Sequence, residues 1–391
     1  MKFDIFISLL IACIGFVSCS NDEPKQNATK TNRTILVYMI ANNSLGNSTD
    51  PNRQYDDKDL EEMLTAVASK DINNGRLIVY HVPPAKEGAP SLKEVTPNGI
   101  VDLKTYNSST LSTDPAQLEQ VISDTYKLAP ALDYGLILWS HSSAWVEYTT
   151  ARSISSEQNN IKPLAFGEEI TTNGTSHMKI TSLAKVLNKH NFSFIYFDSC
   201  HMASIEVIYE LKDATKYIVA SATELPANGM PYDQNIPLFF MGTPQLIQAC
   251  QNTFNSYNSL TGANRTCSIS LIETTHLEEL ASISREIFSA KTTLPSSFSP
   301  QQFVYGTNCY SFDFEQYLSA LSPNEDTTKN LKNILNKVVI YKNATPYIWG
   351  EIKMDYHCGL GCHILKQKSD ATKRGYNNHL WWQDVVKYQF Q

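Results

Sequence analysis

Short apolar blocks recur along this chain, each too short to cross a membrane, and most lead into residues at helical spacing. The blocks are TILVYMI (34–40), RLIVYHV (76–82), YGLILWSH (134–141), FSFIYFDSC (192–200) and YIVASATE (217–224). Between them lie DDKDLEEMLTAVAS (56–69), PAQLEQVISDTYKLA (115–129), TSLAKVLNKH (181–190) and ASIEVIYELKD (203–213), each with an apolar helical stripe. Acidic residues open the first of these helices, where the dipole favours them, and Thr113-Asp114-Pro115 opens the second in cap order. A strand that is apolar along its length has to be covered on both faces. The alternation therefore predicts an α/β fold, with a mainly parallel sheet and helices on both faces. The 391 residues suffice for one large domain or two medium ones.

In such sheets functional groups gather at the carboxyl ends of the strands. Two candidates sit there: His141 after LILWS and Cys200 after FIYFDS. The reactive form of cysteine is the thiolate, and a strand end that feeds a helix N-terminus favours that charge. A neighbouring histidine shuttles a proton to the leaving group. Cysteine is also among the most buried residue types, so the residues alone leave Cys200 open between core and nucleophile. No Gly-x-Ser-x-Gly turn points to a serine hydrolase, and no glycine-rich phosphate loop follows a strand.

The stretch from Val146 to Ser182 breaks the rhythm: it is polar, carries Arg152, Lys162 and Lys179, and reads as a long functional loop. Beyond Tyr232 the pattern turns helical, then closes with β-like CGLGCHIL (358–365) and aromatic GYNNHLWWQDVVKY (375–388). Of eight cysteines, Cys200, Cys250, Cys267, Cys309, Cys358 and Cys362 lie beyond the N-terminal leader, at spacings that do not read as a disulfide framework. Cys358 and Cys362 read as a buried strand pair, with a metal site that includes His357 and His363 as the alternative. A net charge of −7 argues against nucleic acid as a partner.

Residues 1–20 resemble an export signal, with Lys2, an apolar run from Ile5 to Val17, and Phe16-Val17-Ser18-Cys19 in the shape of a bacterial lipobox. That resemblance implies lipidation of Cys19, a signal peptide over 1–18 and a flexible tether over 19–33. A plain secretory signal is the alternative. Asn21-Asp22-Glu23 resembles the export tag of Bacteroidetes surface lipoproteins, which implies the outer membrane and its outer face.

WSHSSAW (139–145) followed by FDSCHMASIEVIYEL (197–211) resembles the clostripain family of cysteine peptidases, in the clan of caspases, gingipains and legumains. That family carries His-Gly-x-Gly-Trp after one apolar block and Asp-Ala-Cys-Leu-Met-x-x-x-Glu after another. TILVYMIANNSL, SATELPANGMPYD and GLGCHILK with LWWQDV extend the resemblance over most of the chain. It implies a caspase-like catalytic domain over 34–240, with 241–391 completing the fold as a C-terminal α+β extension. It implies Cys200 as nucleophile, His141 as catalytic histidine, and the N–H groups of Ser142 and Cys200 at the oxyanion. Asp198 matches the acid that selects a basic side chain, with an N-cap of the following helix as its other reading. The implied activity is hydrolysis of polypeptides after Arg, or less readily Lys, through a thioester. A self-cut between Val146 and Ser182 is implied as well, at Lys162 or Lys179 rather than at Arg152, which lies only eleven residues beyond His141. A monomer is expected. Calcium enters by family analogy, although no EF-hand loop is present, and no other cofactor is implied. Four positions depart from the family pattern: Ser142 and Ala144 replace glycines, Ser199 replaces alanine, and His201 replaces leucine. His201 is expected to face outward or to cap a helix, with a second base as its other reading. These departures keep open a weakened enzyme or an inactive binding lipoprotein.

Overall fold

The computed structural model describes residues 31–146, 165–305 and 309–391. The apolar blocks form strands β1 (Thr31–Ile40), β2 (Arg76–Val82), β5 (Ala131–Trp139), β8 (Phe194–Asp198) and β9 (Tyr217–Ala220). They lie side by side, all parallel, in the order β9-β8-β5-β1-β2. A hairpin, β3 (Ser91–Thr96) and β4 (Gly99–Thr105), adds antiparallel to β2. At the other edge β10 (Ser268–Glu273) pairs antiparallel with β9, and a last strand, Val339–Ala344, pairs with β10. The nine-stranded sheet is thus parallel in its middle and antiparallel at both edges.

Alternate residues of β1 feed two separate cores. Ile35, Val37 and Met39 pack on one face with α1 (Tyr55–Ser69), α5 (Tyr232–Phe239) and α6 (Leu246–Asn258). Leu36, Tyr38 and Ile40 pack on the other with α2 (Pro115–Leu128), α3 (Ile180–Leu187), α4 (Ile205–Glu210) and α7 (Leu277–Ser289). Helices α8 (Phe314–Leu321), α9 (Glu325–Val338) and α10 (Leu380–Asp384) thicken that second layer.

Several expectations shift. β1 starts at Thr31, inside the expected tether, because Arg33 is buried and held by Asp133 (2.6 Å) and by the carbonyls of Phe239 and Met241 (2.6 and 2.7 Å). The stretch read as one loop to Ser182 contains a hairpin, β6 (Phe166–Thr171) with β7 (Gly174–Met178), and the start of α3. The apolar run NKVVIY, expected to continue a helix, breaks at Val338 and turns into the edge strand. α4 spans six residues, all buried, where a longer amphipathic helix was expected. Cys19, Arg152 and Lys162 lie outside the described residues.

Candidate active site

Parallel register sets the site. Trp139, the last residue of β5, pairs with Asp198, the last residue of β8. His141 and Cys200 each follow two residues later, so they leave neighbouring strands at matching heights. Both line one cleft of about 540 Å³ at the carboxyl edge of the sheet. The cleft also takes in Asp198, Ser142, Glu168 and His177, and on its far wall Tyr305, Tyr310 and Trp349 from the C-terminal part of the chain.

Cys200 is half-buried and in no disulfide among the described residues. The helix N-terminus expected beneath it is absent: α4 opens at Ile205, with Ser204 as its N-cap. Its dipole therefore starts several residues away from the sulfur. The backbone N–H of Leu225 points at Sγ instead, at 3.4 Å. The Cys200 carbonyl accepts from the Ser142 hydroxyl at 2.6 Å, which ties the nucleophile loop to the histidine loop.

Ser204 also settles the alternative reading of Asp198, which does not cap α4. Asp198 is buried, accepting from the Tyr232 hydroxyl (2.9 Å) and the Met230 N–H (3.2 Å). Burial pushes its carboxyl up to about 6, against the pull of those two donors. Asp59 of α1 lies buried nearby, accepting from the Trp139 indole at 2.6 Å; burial and then the Asp198 charge raise its carboxyl too. Gly229 is required beside this site: its φ is +63°, and a Cβ there would sit 2.5 Å from Asp198 Oδ2.

The departures from the motif have visible consequences. Ser142 stays outside the left-handed region of φ, so a serine in place of the motif's glycine carries no backbone strain there. Ala144 takes φ +65° while almost fully buried, a left-handed conformation that costs a non-glycine roughly 1–2 kcal/mol. His201 neither faces outward nor caps a helix. It is buried at φ +60°, with Nδ1 3.3 Å from the Ala222 carbonyl, and burial lowers its pKa below the usual value. Its backbone N–H bonds to Thr223, which fixes the turn that carries Cys200.

Ser44 and Glu224 are among the neighbours of the site that escaped the sequence reading. Ser44 Oγ stands 2.8 Å from His141 Nε2. Glu224 accepts from the Trp349 indole at 2.7 Å on the rim of the cleft. Both lay inside segments noted only for their overall pattern, and the contacts span large sequence separations. Lys179 is ordered: it precedes α3 and its carbonyl accepts from Ser182 and Leu183 at 3.0 and 2.9 Å. Cys358 and Cys362 are buried, Cys362 in a two-residue strand (Gly361–Cys362) paired with Phe312–Asp313. Among the described residues no group of three or more His, Cys, Asp or Glu side chains is placed to hold a metal ion.

A family model described as the clostripain family matches residues 37–384. Three solved structures are similar. The first is an inactive zymogen C11 protease from Parabacteroides distasonis, 27% identical with a TM-score of 0.75, covering 91% of this chain and 99% of that one. The second, a secreted C11 cysteine protease from Bacteroides thetaiotaomicron in complex with an irreversible peptide inhibitor, is 26% identical with a TM-score of 0.75, covering 92% and 100%. The third, a clostripain from Bacteroides thetaiotaomicron bound to the peptide inhibitor BTN-VLTK-AOMK, is 27% identical with a TM-score of 0.50, covering 56% and 99%. No curated protein matches.

Proposed function

The chain belongs to the clostripain family and is a cysteine peptidase, and from that premise we propose that it is an exported, lipid-anchored endopeptidase that cuts after Arg, or less readily Lys. The observation that carries this reading is the in-register exit of His141 and Cys200 from neighbouring strands, with the buried carboxyl of Asp198 in the same cleft. A carboxylate sealed away from water is costly until a cation arrives, and a guanidinium supplies two parallel hydrogen bonds. The VLTK inhibitor carried by the Bacteroides thetaiotaomicron relative has K next to its AOMK group, which supports a basic side chain here.

The chemistry then runs in two halves. His141 takes the thiol proton, and the Cys200 sulfur attacks the scissile carbonyl. The N–H groups of Ser142 and Cys200 hold the oxyanion, and the histidine proton passes to the leaving amine. Water, deprotonated by the same ring, hydrolyses the thioester. The Leu225 N–H, 3.4 Å from Sγ, stabilises the thiolate as it forms.

Export and anchoring rest on the leader and on Cys19, which lies outside the described residues. A secreted relative supports export, and among the described residues no helix is long and apolar enough to cross a membrane. The deciding experiment is labelling by an arginyl acyloxymethyl ketone. The adduct is expected on Cys200, and labelling elsewhere, or none on catalytically active protein, would reject the assignment.

A further inference from the structure

The loop that follows β1 is braced from beneath. Asn43 is fully buried; its Nδ2 donates to the Ile40 and Glu168 carbonyls, both at 2.8 Å, and lies 3.3 Å from Ser140 Oγ. Its Oδ1 accepts from the Leu45 N–H at 2.8 Å, so the bracket closes around Ser44. Ser140, next to His141, is bound into the same bracket: its hydroxyl donates to Ile40 (3.0 Å) and accepts from Glu168 (3.1 Å). One buried polar network thus fixes both the residue before the histidine and the residues on either side of the serine. Ser44 is itself exposed, and from a backbone held by this foundation its Oγ stands 2.8 Å from His141 Nε2.

We propose that Ser44 is the positioning residue for His141: its hydroxyl oxygen accepts from Nε2–H, orients the ring, and assigns proton transfer to Nδ1. This rests on the reading of His141 as the proton carrier. A neutral imidazole holds one proton, and with that proton on Nε2 the lone pair is on Nδ1. In the first step the S–H bond of Cys200 breaks and an Nδ1–H bond forms. The imidazolium then has two N–H groups, and Ser44 accepts from the second, its own hydroxyl proton turned to solvent. In the next step the Nδ1 proton goes to the leaving amine. Ser44 gains and loses no proton at any point; it selects the tautomer and steadies the charged ring.

The other titratable groups that line the cleft with the ring are Glu168 of β6, His177 of β7, Asp198, Cys200, His201 and Glu224 at or beyond the strand ends, and Tyr305 and Tyr310 on the far wall. They are the same in wild type and in Ser44 variants, so a change between the two reports on the serine. The test is steady-state kinetics of the full chain across pH with one arginyl substrate, for wild type, Ser44→Ala and Ser44→Thr. Ser44→Ala is expected to lower kcat roughly 10- to 100-fold, a part of what a complete general base supplies, with KM little changed. The alkaline limb of kcat/KM, where the Cys200–His141 pair loses the proton it shares, is expected to move to lower pH because the imidazolium form of that pair has lost its acceptor. Ser44→Thr is expected to restore both. An alkaline limb that stays in place in Ser44→Ala would overturn the proposal, as would a Ser44→Thr protein as slow as Ser44→Ala. A His141→Ala protein that keeps turning over would instead remove the reading beneath it.

Discussion

At Asp198 burial bears directly on the proposed specificity. Its carboxyl, raised to about 6, lies above the ordinary aspartate value of 3.8, so the folded protein holds a proton there that the unfolded chain has released. This contribution therefore favours the fold most at low pH and is lost as pH rises through about 6. Binding an arginine needs the ionised form, so kcat/KM on arginyl substrates is expected to climb through the same range. Asp198→Asn should lower that constant by roughly 1.5–3 kcal/mol, the scale of a charge-assisted bond, and erase this part of the pH profile. It should leave any slow cleavage after citrulline untouched; an equal loss on both substrates would mark the carboxyl as structural. Cys200→Ala is expected to abolish turnover, and His141→Ala to reduce it by about 10²- to 10⁴-fold, each with an unchanged urea midpoint. Wild-type turnover in either variant would break the dyad. His141 and Cys200 stood out because each follows an apolar run, while Asp198 and the roles of all three came from the resemblance to the family motif. Ser44 and Tyr232 did not stand out, because their contacts join positions 97 and 34 residues apart in the chain, and no local pattern marks them.

At the scale of elements, α4 links the nucleophile to the end of the chain. It is sealed on every side, which a helix with Glu206 and Glu210 tolerates only if both carboxylates find donors. Glu206 accepts from the His363 N–H (2.8 Å), the Tyr376 hydroxyl (3.1 Å) and the Ser204 hydroxyl; Glu210 accepts from the Leu380 N–H (2.6 Å). The rings of His363 and Tyr376 lie 4.8 and 4.7 Å from that of Trp145, and His379 Nε2 stands 3.0 Å from the Trp145 carbonyl. The C-terminal segment therefore clamps the loop that begins at His141. Glu206→Ala leaves the Tyr376 and His363 donors without an acceptor and should cost roughly 1–3 kcal/mol, read as a lower urea midpoint. An unchanged midpoint would show that the aromatic contacts alone hold the segment. The alternation of apolar blocks and amphipathic stripes gave away the parallel core of the sheet. The edge elements were hidden for physical reasons. β4 is mostly exposed, so its residues follow no burial pattern, and the Val339 strand begins where a helix's apolar stripe leaves off.

At the scale of the whole molecule, the cleft draws on distant parts of one chain, and this bears on maturation. His141 leaves β5 and Cys200 leaves β8, so any cut between them divides the dyad between two fragments. The fragments would remain joined. β5 and β8 pair along residues 135–139 and 194–198, and Ile170 and Glu168 beyond the cut bond to Asn42 and Asn43 before it. Of the three basic residues between Val146 and Ser182, Lys179 is poorly placed: cutting after it means pulling apart the start of α3, where its carbonyl closes the first turn. Arg152 and Lys162 are then the remaining positions. Purified wild-type protein should convert with time into two fragments that co-elute, split after one of these residues, and the mass of each piece identifies which. Cys200→Ala should stay whole. Arg152→Ala with Lys162→Ala together should block the cut if the enzyme acts on itself at these residues. A doubly substituted protein that still splits, now after Lys179, would show that the α3 start opens far more readily than its hydrogen bonds suggest. A Cys200→Ala chain cut at the native position would assign the step to a different protease.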